Sequence, residues 1–581
     1  MIDFETDVFI VGSGPTGSAA ALALATYGIR THMVTRYRWL SNTPRAHITN
    51  QRTMEVLRDL GVDEEVERYG SEWDVMGDTL FATSLAGTEI ARIRTWGTGD
   101  ERFGDYLRGS PCTMLDVPQP YMESVLLRNA AERGAHLSLN TEYLSHEQDN
   151  DGVTVKLLDR LSGREYEVRA KYLIGADGAR SQIAEEIGLE IEGHQGRANT
   201  AYVQFTADLS RYVAHRPSIL HWIMSPSASY GEIGMGLLRA IRPWTKWIAG
   251  WGYDPAQGEP DFSPEAVIEK IRTLVGDPEL EISIDATSTW LVNQAYATTY
   301  SVGRVFCGGD AVHRHPPSGG LGSNTCIQDA FNLAWKLAFV LKGDAGAALL
   351  DSYTHERMPV GRQIVERANK SRADFGLLNE AIRTEGAADP IAAAVAKLRD
   401  PSPEGVKTRE AITKALAGKN YEFNAQGVEM NHRYVSAAVI PDCAEEEHWT
   451  RDPELFLQPS TRPGAKLPHA WLVNSQGVRT STLDVIGHGL LTLVTGLGGQ
   501  AWVKAVEALG HPFLRAVVIG DPGTEDAYGE WAAQRDMDEA GALLVRPDGY
   551  IAWRQREAMW NSDDAAAQLG TAIGTILHKG A

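Results

Sequence analysis

The chain opens with a short unbroken apolar run, Asp7-Val8-Phe9-Ile10-Val11, followed past a glycine cluster by an Ala/Leu-rich stretch that ends at Tyr27. The run predicts a buried strand, and the small-residue stretch, with Gly28 suited to its C-cap, predicts a helix. Thr31 to Val34 reads as the next strand, which completes a βαβ opening. Met54, Leu57 and Leu60 recur at helical spacing from Asn50 until Gly61 stops them, and another helix is expected from Pro120 to Arg133 before Gly134. Between His136 and Ile174 the pattern turns to strands, broken at Asp149-Asn150-Asp151-Gly152 and Ser162-Gly163. Residues from about 196 to 300 stay strand-like and collect aromatics (Tyr202, Phe205, Trp222, Tyr230, Trp244, Trp247, Trp251, Trp290), with one helix over Pro264 to Val275. Val305-Phe306-Cys307, a Gly/Pro-rich loop and a helix from Asn324 to Leu341 then repeat the opening arrangement. Helices are expected over 350–420, and a connector rich in Pro, Arg and Gly over 440–468. The remainder alternates strands (Leu490 to Val494, Phe513 to Ile519, Leu543 to Val545) with helices, as a small α/β domain would.

Composition narrows the classes. At 581 residues the chain can enclose a cofactor, and its 23% charged and 43% hydrophobic content is ordinary for a globular protein. A net charge of -21 repels phosphate backbones and anionic membranes, so neither nucleic acid nor membrane is expected as a partner. No apolar stretch reaches the ~18 residues that cross a bilayer. The start, Met1-Ile2-Asp3-Phe4-Glu5, lacks the pattern of a signal peptide, and the four cysteines form no CxxC, so a cytoplasmic location with reduced thiols is expected.

Chemistry first appears at Gly12-x-Gly14-x-x-Gly17, with Pro15 and Thr16 inside it, placed after a strand and before a helix. The first glycine permits a tight turn, the second admits pyrophosphate to the backbone, and the third lets helix pack on strand. The helix N-terminus offers amides and a positive dipole end to an anion. A dinucleotide fingerprint should place Asp or Glu at the end of the second strand; here stand Thr35 and Arg36, so a hydroxyl or an Arg contact takes that part. Two further turns follow: Gly175-Ala176-Asp177-Gly178-Ala179-Arg180-Ser181, and Gly308-Gly309-Asp310 with Pro316-Pro317-Ser318-Gly319-Gly320-Leu321-Gly322-Ser323-Asn324 downstream. His313 and His315 could suggest a metal pair, but no third ligand has suitable spacing and no metal is expected.

Taken together and in this order, the three turns resemble the FAD signature of single-component (class A) aromatic hydroxylases. The resemblance covers nearly the whole chain and is nearest to the dichlorophenol 6-monooxygenase and phenol hydroxylase branch, through Thr43-Pro44-Arg45-Ala46-His47-Ile48-Thr49-Asn50-Gln51-Arg52-Thr53 and residues 308–328. It implies an α/β fold: a Rossmann-type FAD-binding domain of the 4-hydroxybenzoate hydroxylase kind over 1–195 and 300–375, and an interleaved β-sheet substrate domain over 196–299. A helical segment and connector over 376–468 would lead to a thioredoxin-like C-terminal domain over 469–581, which without a CxxC has no dithiol role. It also implies FAD as cofactor, NADH or NADPH as a transient co-substrate without a nucleotide domain of its own, O2 and a small aromatic substrate, and a homo-oligomer.

Residue roles follow from the same resemblance. Asp310 holds the ribityl chain, and the backbone of Pro317, Gly320, Leu321, Gly322, Ser323 and Asn324 meets the flavin. Arg45 and Gln119 stand against the FAD phosphates and ribityl, and Asp177 belongs to a motif tied to FAD and the pyridine nucleotide. Oxygen would be transferred from a flavin C4a-hydroperoxide to an electron-rich phenolic or hydroxypyridine-like ring, and removal of the phenol proton would speed that step. His47 is the candidate base, against the plainer reading of a structural histidine, and the Pro317 carbonyl is a candidate acceptor. Tyr202, Trp222 and Trp290 are candidates for the substrate roof, although pocket and core aromatics cannot be sorted by pattern alone. Epoxidation, halogenation or a non-catalytic flavin-binding scaffold are alternatives; Trp244-Thr245-Lys246-Trp247 does not supply the WxWxIP of a tryptophan-type halogenase.

Overall fold

The computed structural model describes residues 2–41, 43–225, 234–384, 386–443 and 445–579, with the side chains of 195, 197 and 198 set aside. Tyr230 lies outside the described residues. The apolar opening run is the strand Phe4–Val11, at the centre of an eight-stranded sheet. Parallel neighbours flank it: Thr31–Val34 on one side, and on the other Glu165–Gly175 followed by Val305–Cys307. A strand paired on both sides and covered on both faces must be apolar throughout, and Val8, Phe9 and Ile10 are fully buried. Helix Pro15–Thr26 packs against Gly322–Lys342 and Gln119–Glu132, and its many alanines permit the close approach. The register places Val11 opposite Gly175 and Gly175 opposite Cys307, so all three glycine turns leave the same end of the sheet.

A second eight-stranded sheet orders Ile191–Thr206 between Ser283–Ala297 and Lys246–Tyr253, then Gly236–Arg242 and Leu220–Ile223. It continues into Asp78–Ala82 and Glu89–Arg94, strands from outside the 196–299 range expected for it, through parallel pairing of Leu220–Ile223 with residues 79–82. The register sorts the aromatics that pattern alone left unsorted. Val203, Phe205, Trp247, Ala249, Trp251 and Leu238 share one face and pack on helix Pro264–Val275 as core. Tyr202, Gln204, Trp222, Leu237, Arg239 and Trp290 share the other. Tyr202, Gln204, Trp222, Arg239 and Trp290 are only half-buried, whereas Val203, Phe205 and Trp247 have no exposure.

Helices Ser352–Ala373, Phe375–Ile382, Pro390–Arg399 and Pro403–Gly418 occupy the 350–420 stretch. The C-terminal region holds a four-stranded sheet, Leu514–Ile519, Leu491–Gly496, Ala542–Val545 and Ile551–Gln555, with Gln500–Leu509 and Ser562–Ile576 packed together. The late helix begins at Gly322 and not Asn324, because the tight turn Ser318–Gly320 feeds directly into it. Among the described residues no helix is long and apolar enough to cross a membrane. Trp247 fills the core beneath the second sheet with no exposure. Trp247→Ala is expected to cost about 3–5 kcal/mol, read by denaturant unfolding; a loss below ~1 kcal/mol would contradict this packing.

Candidate functional site

The site begins with three turns that interlock. Gly12 has φ +109, and a Cβ there would lie 2.1 Å from the Ala176 carbonyl oxygen, so the first turn is pressed directly against the second. A Cβ on Gly17 would stand 1.9 Å from the Gly12 carbonyl oxygen, which brings helix onto strand. Gly309, with φ +63, would strike the Thr16 hydroxyl at 2.1 Å, so the third turn rests on the first. Ala176 N–H donates to the Val11 carbonyl at 2.8 Å and Gly308 N–H to the Gly175 carbonyl at 3.1 Å. Gly14 differs: a Cβ there meets nothing within 4 Å. The open space beside it, at a helix start whose first amides have no partner within the helix, fits a pyrophosphate. Pro15 occupies the first helical position, where no amide hydrogen is required.

The far end of this groove is built by Pro317 to Asn324. Gly319 and Gly320 both have positive φ, and a Cβ on Gly320 would come within 2.7 Å of Ile48. Asn324 locks the contact: its amide nitrogen donates to the carbonyls of Ile48 (2.7 Å) and Gly320 (2.6 Å), and its Oδ1 accepts from Asn50 N–H at 2.9 Å. The Asn324 side chain is thus occupied, and only its backbone is available to a ligand. Gly320 N–H donates to the Pro317 carbonyl at 3.0 Å, which leaves that oxygen one further lone pair. Thr325 N–H donates to the Leu321 carbonyl, so the amides of Gly322, Ser323 and Asn324 point out of the helix end. Leu321 itself packs with Ile364, Ala425 and Val428. The Asp310 carboxylate is exposed on the groove wall, while its carbonyl accepts from Arg314.

The remaining expected contacts lie around this frame. Thr35 is buried at the strand end, its hydroxyl accepting from Tyr37 N–H at 3.4 Å, and Arg36 is exposed beside the Tyr37 hydroxyl. Arg45 is exposed. Gln119 ties the 46–47 segment to its helix, with its N–H donating to the Ala46 carbonyl at 2.8 Å and its Nε2 to Glu123. Asp177 accepts from the Ser181 hydroxyl and Ile183 N–H, capping a short helix, and burial raises its pKa. His313 Nε2 donates to the Asp329 carboxylate at 2.8 Å, and His315 Nδ1 lies 2.6 Å from the Pro316 carbonyl. Burial, followed by His313, lowers His315 to about 4. No group of three metal-ligating side chains occurs among the described residues.

His47 lies where the groove meets the second sheet. It precedes the two-residue strand Ile48–Thr49, which pairs with Leu115–Asp116. Its Nδ1 lies 3.4 Å from Asp116 Oδ1, and both ring nitrogens are buried without a hydrogen bond. Asp116 is in turn bonded by the Arg239 guanidinium from the half-buried face of the sheet. Burial and then Arg239 lower the His47 pKa, and Asp116 only partly offsets them. Burial pushes Asp116 up, but Arg239 and His47 outweigh it and hold the carboxyl below its ordinary range. A buried base that is neutral at neutral pH, with a fixed anion behind it, can accept a proton. Tyr202 and Trp290 meet edge-on at 5.5 Å on the same sheet face, while Trp222 is engaged by Phe375 at 4.7 Å.

Pattern reading missed Asp116 and Arg239. Asp116 sits in a two-residue strand with no periodic signal, and 123 positions separate it from Arg239. The alternation of Glu89-Ile90-Ala91-Arg92-Ile93-Arg94 could have disclosed the extra strands.

The family described as the FAD binding domain matches residues 5–368, and the C-terminal family of aromatic-ring hydroxylases matches 460–579. The chain is 48% identical to a 2,4-dichlorophenol 6-monooxygenase of Cupriavidus pinatubonensis, over 100% of this chain and 97% of that protein. It is 46% identical to a phenol 2-monooxygenase of a Pseudomonas species, over 97% and 91%. Among solved structures, the flavin-dependent monooxygenase PieE in complex with FAD and substrate superposes with TM-score 0.95 at 41% identity over 100% of both chains. Aklavinone-11 hydroxylase with FAD and aklavinone gives 0.81 at 31% identity, again over 100% of both.

Gly14 has an ordinary φ of -68 and open space beside it. Gly14→Ala is expected to leave the melting temperature of the apoprotein within about 2 °C while weakening FAD binding at least about tenfold, whereas Gly12→Ala lowers both. Fluorescence titration and calorimetry read these outcomes, and unchanged FAD affinity in Gly14→Ala would contradict the pyrophosphate assignment.

Proposed function

Because the chain belongs to the FAD-binding aromatic-ring hydroxylases, a monooxygenase family, we propose that it hydroxylates a phenolic ring with His47 as the proton acceptor. Bound FAD, reduced by NADH or NADPH, supplies with O2 the electrophilic oxygen that enters the ring. Within this reading Gly12, Gly14, Pro15, Thr16 and Gly17 hold the pyrophosphate, and Thr35 and Arg36 the adenosine side. Arg45, Gln119, Asp177 and Asp310 flank the phosphates and ribityl chain. The backbone of Pro317, Gly320, Leu321, Gly322, Ser323 and Asn324 receives the flavin ring, where outward-pointing amides favour negative charge.

The single observation that carries the proposal is the buried His47–Asp116–Arg239 array where the groove meets the half-buried sheet face. A phenol is a poor target for an electrophile and a phenolate a good one. His47 takes the phenol proton; Asp116, 3.4 Å from Nδ1, stabilises the cation that forms; Arg239 anchors Asp116 and lowers the His47 pKa beforehand. Tyr202 and Trp290 offer an apolar wall that excludes water from the reacting ring. Trp222 shares their sheet face, but its ring is engaged by Phe375. The names of the relatives, chlorophenol and phenol monooxygenases, support a single-ring phenol as substrate. They also argue against a non-catalytic scaffold, and Trp247 is ordinary core, so nothing favours halogenation. A cytoplasmic location and a homo-oligomer belong to the same reading, the first in keeping with the free thiols.

Two measurements test the proposal. His47→Gln is expected to lower kcat for phenol-dependent NAD(P)H oxidation by about 10²–10⁴-fold; a change below twofold would remove His47 from the reaction. In the native enzyme, rate is lost as pH falls through the His47 pKa, because the protonated ring cannot accept. That limb lies below the ordinary histidine value of 6.5. Arg239 lowers the His47 pKa, so Arg239→Met should move the acid limb to higher pH. A shift to lower pH would contradict the array.

A further inference from the structure

A chain of buried charge leads away from the flavin groove toward the C-terminal domain. Its inner end is Asp329, on the helix Gly322–Lys342 and without exposure. Asp329 Oδ2 accepts from Gly309 N–H at 3.1 Å and lies 2.8 Å from His313 Nε2, while Oδ1 accepts from Arg357 Nε at 2.7 Å. Gly309 is the positive-φ glycine wedged on Thr16, and the next residue is Asp310. The direction of one buried carboxylate therefore fixes the turn that presents Asp310 to the groove.

Arg357 continues outward, donating from Nη1 to the Tyr434 hydroxyl at 2.9 Å. The Tyr434 ring stacks on Tyr550 of the C-terminal domain, with centroids 4.0 Å apart and planes at 25°. Arg546, also of that domain, lies 5.4 Å from the Tyr434 ring centroid and bonds Glu356 at 2.6 and 2.8 Å. Glu356 is the sequence neighbour of Arg357 on the helix Ser352–Ala373, and it also receives Lys336 at 2.8 Å. Asp548 closes the cluster by accepting from Arg546 and from Asn332, three residues beyond Asp329. Arg357, Arg546, Glu356, Lys336 and Asp329 are all without solvent exposure, or within 1% of it. In such surroundings a charge that loses its partner is strongly penalised, so each member constrains the next.

We propose that Asp329 is a positioning residue for FAD, and that the C-terminal domain acts on the cofactor through Arg357 and Tyr434. This gives a C-terminal domain without a CxxC a task other than redox chemistry: it completes the charge network that holds the Gly309–Asp310 turn in its binding geometry. The proposal concerns cofactor affinity and does not depend on the role of His47.

The test is FAD titration into the full-length apoprotein, with melting temperatures of apo and holo forms, for Tyr434→Phe and Asp329→Asn. Tyr434→Phe removes one buried hydroxyl that touches nothing in the flavin groove. It should raise the FAD dissociation constant by about fivefold, the worth of one hydrogen bond. Asp329→Asn should raise it by more than about tenfold, with a larger loss of melting temperature in the holo than in the apo form. Asp329→Glu, which keeps the charge, should recover part of the affinity. Equal losses in both forms with an unchanged dissociation constant for Tyr434→Phe would overturn the proposal and leave the network merely structural. Should Asp329→Asn fail to fold, Tyr434→Phe alone decides by the same criterion.

Discussion

Everything in this molecule depends on the steric interlock of three glycine turns at one end of a parallel sheet. Gly12 has no room for a Cβ against Ala176, and Gly309 has none against Thr16. Their strands are neighbours in register, Val11 beside Gly175 and Gly175 beside Cys307, so segments some three hundred residues apart close on one another with no loop between them. The open space beside Gly14 is what this closure leaves over. A nucleotide can approach the backbone there because the surrounding backbone is already in mutual contact.

The second organising feature is that one sheet carries two kinds of face. Phe205, Trp247 and Trp251 are consumed by packing on helix Pro264–Val275. Tyr202, Trp290 and Arg239, one strand position out of phase, stay half-buried on the opposite face, from which Arg239 bonds Asp116. Arg239 then couples the sheet to the groove electrostatically. Its guanidinium holds Asp116 ionised despite burial and helps hold His47 neutral. Within the proposed reading, the same charges would favour a neutral His47 beside an ionised Asp116.

Much of this was legible in the residues themselves, and the reason is locality. The close approach of Gly17 to the Gly12 carbonyl is a requirement met within six positions, so a glycine fingerprint between strand and helix can be read without a distant partner, although the contact of Gly12 with Ala176 cannot. The strand Val305–Cys307 and helix Pro264–Val275 were readable from apolar runs and periodicity for the same reason. Asp116 and Arg239 were not, because each acquires meaning only from the other, far away in the chain. The two faces of the sheet were equally hidden: alternation states that residues differ, but the register with neighbouring strands decides which side meets the cofactor. Asp329 was within a recognised stretch, yet its three bonds to Gly309, His313 and Arg357 emerge only when two helices and a turn are assembled. The strands Asp78–Ala82 and Glu89–Arg94 pair locally with each other, but their place in the second sheet rests on a parallel pair more than a hundred positions away and is not visible in local pattern.

The most direct test of the central claim is the fate of oxygen. Purified enzyme with FAD and NADH or NADPH is given phenol under isotopically labelled O2, and the product is weighed by mass spectrometry. The account predicts a catechol-type product carrying one labelled oxygen atom on the ring, formed only when phenol, O2 and the nicotinamide nucleotide are all present. Label arriving from water, or nucleotide consumption yielding hydrogen peroxide with no hydroxylated ring for any phenol offered, would contradict it.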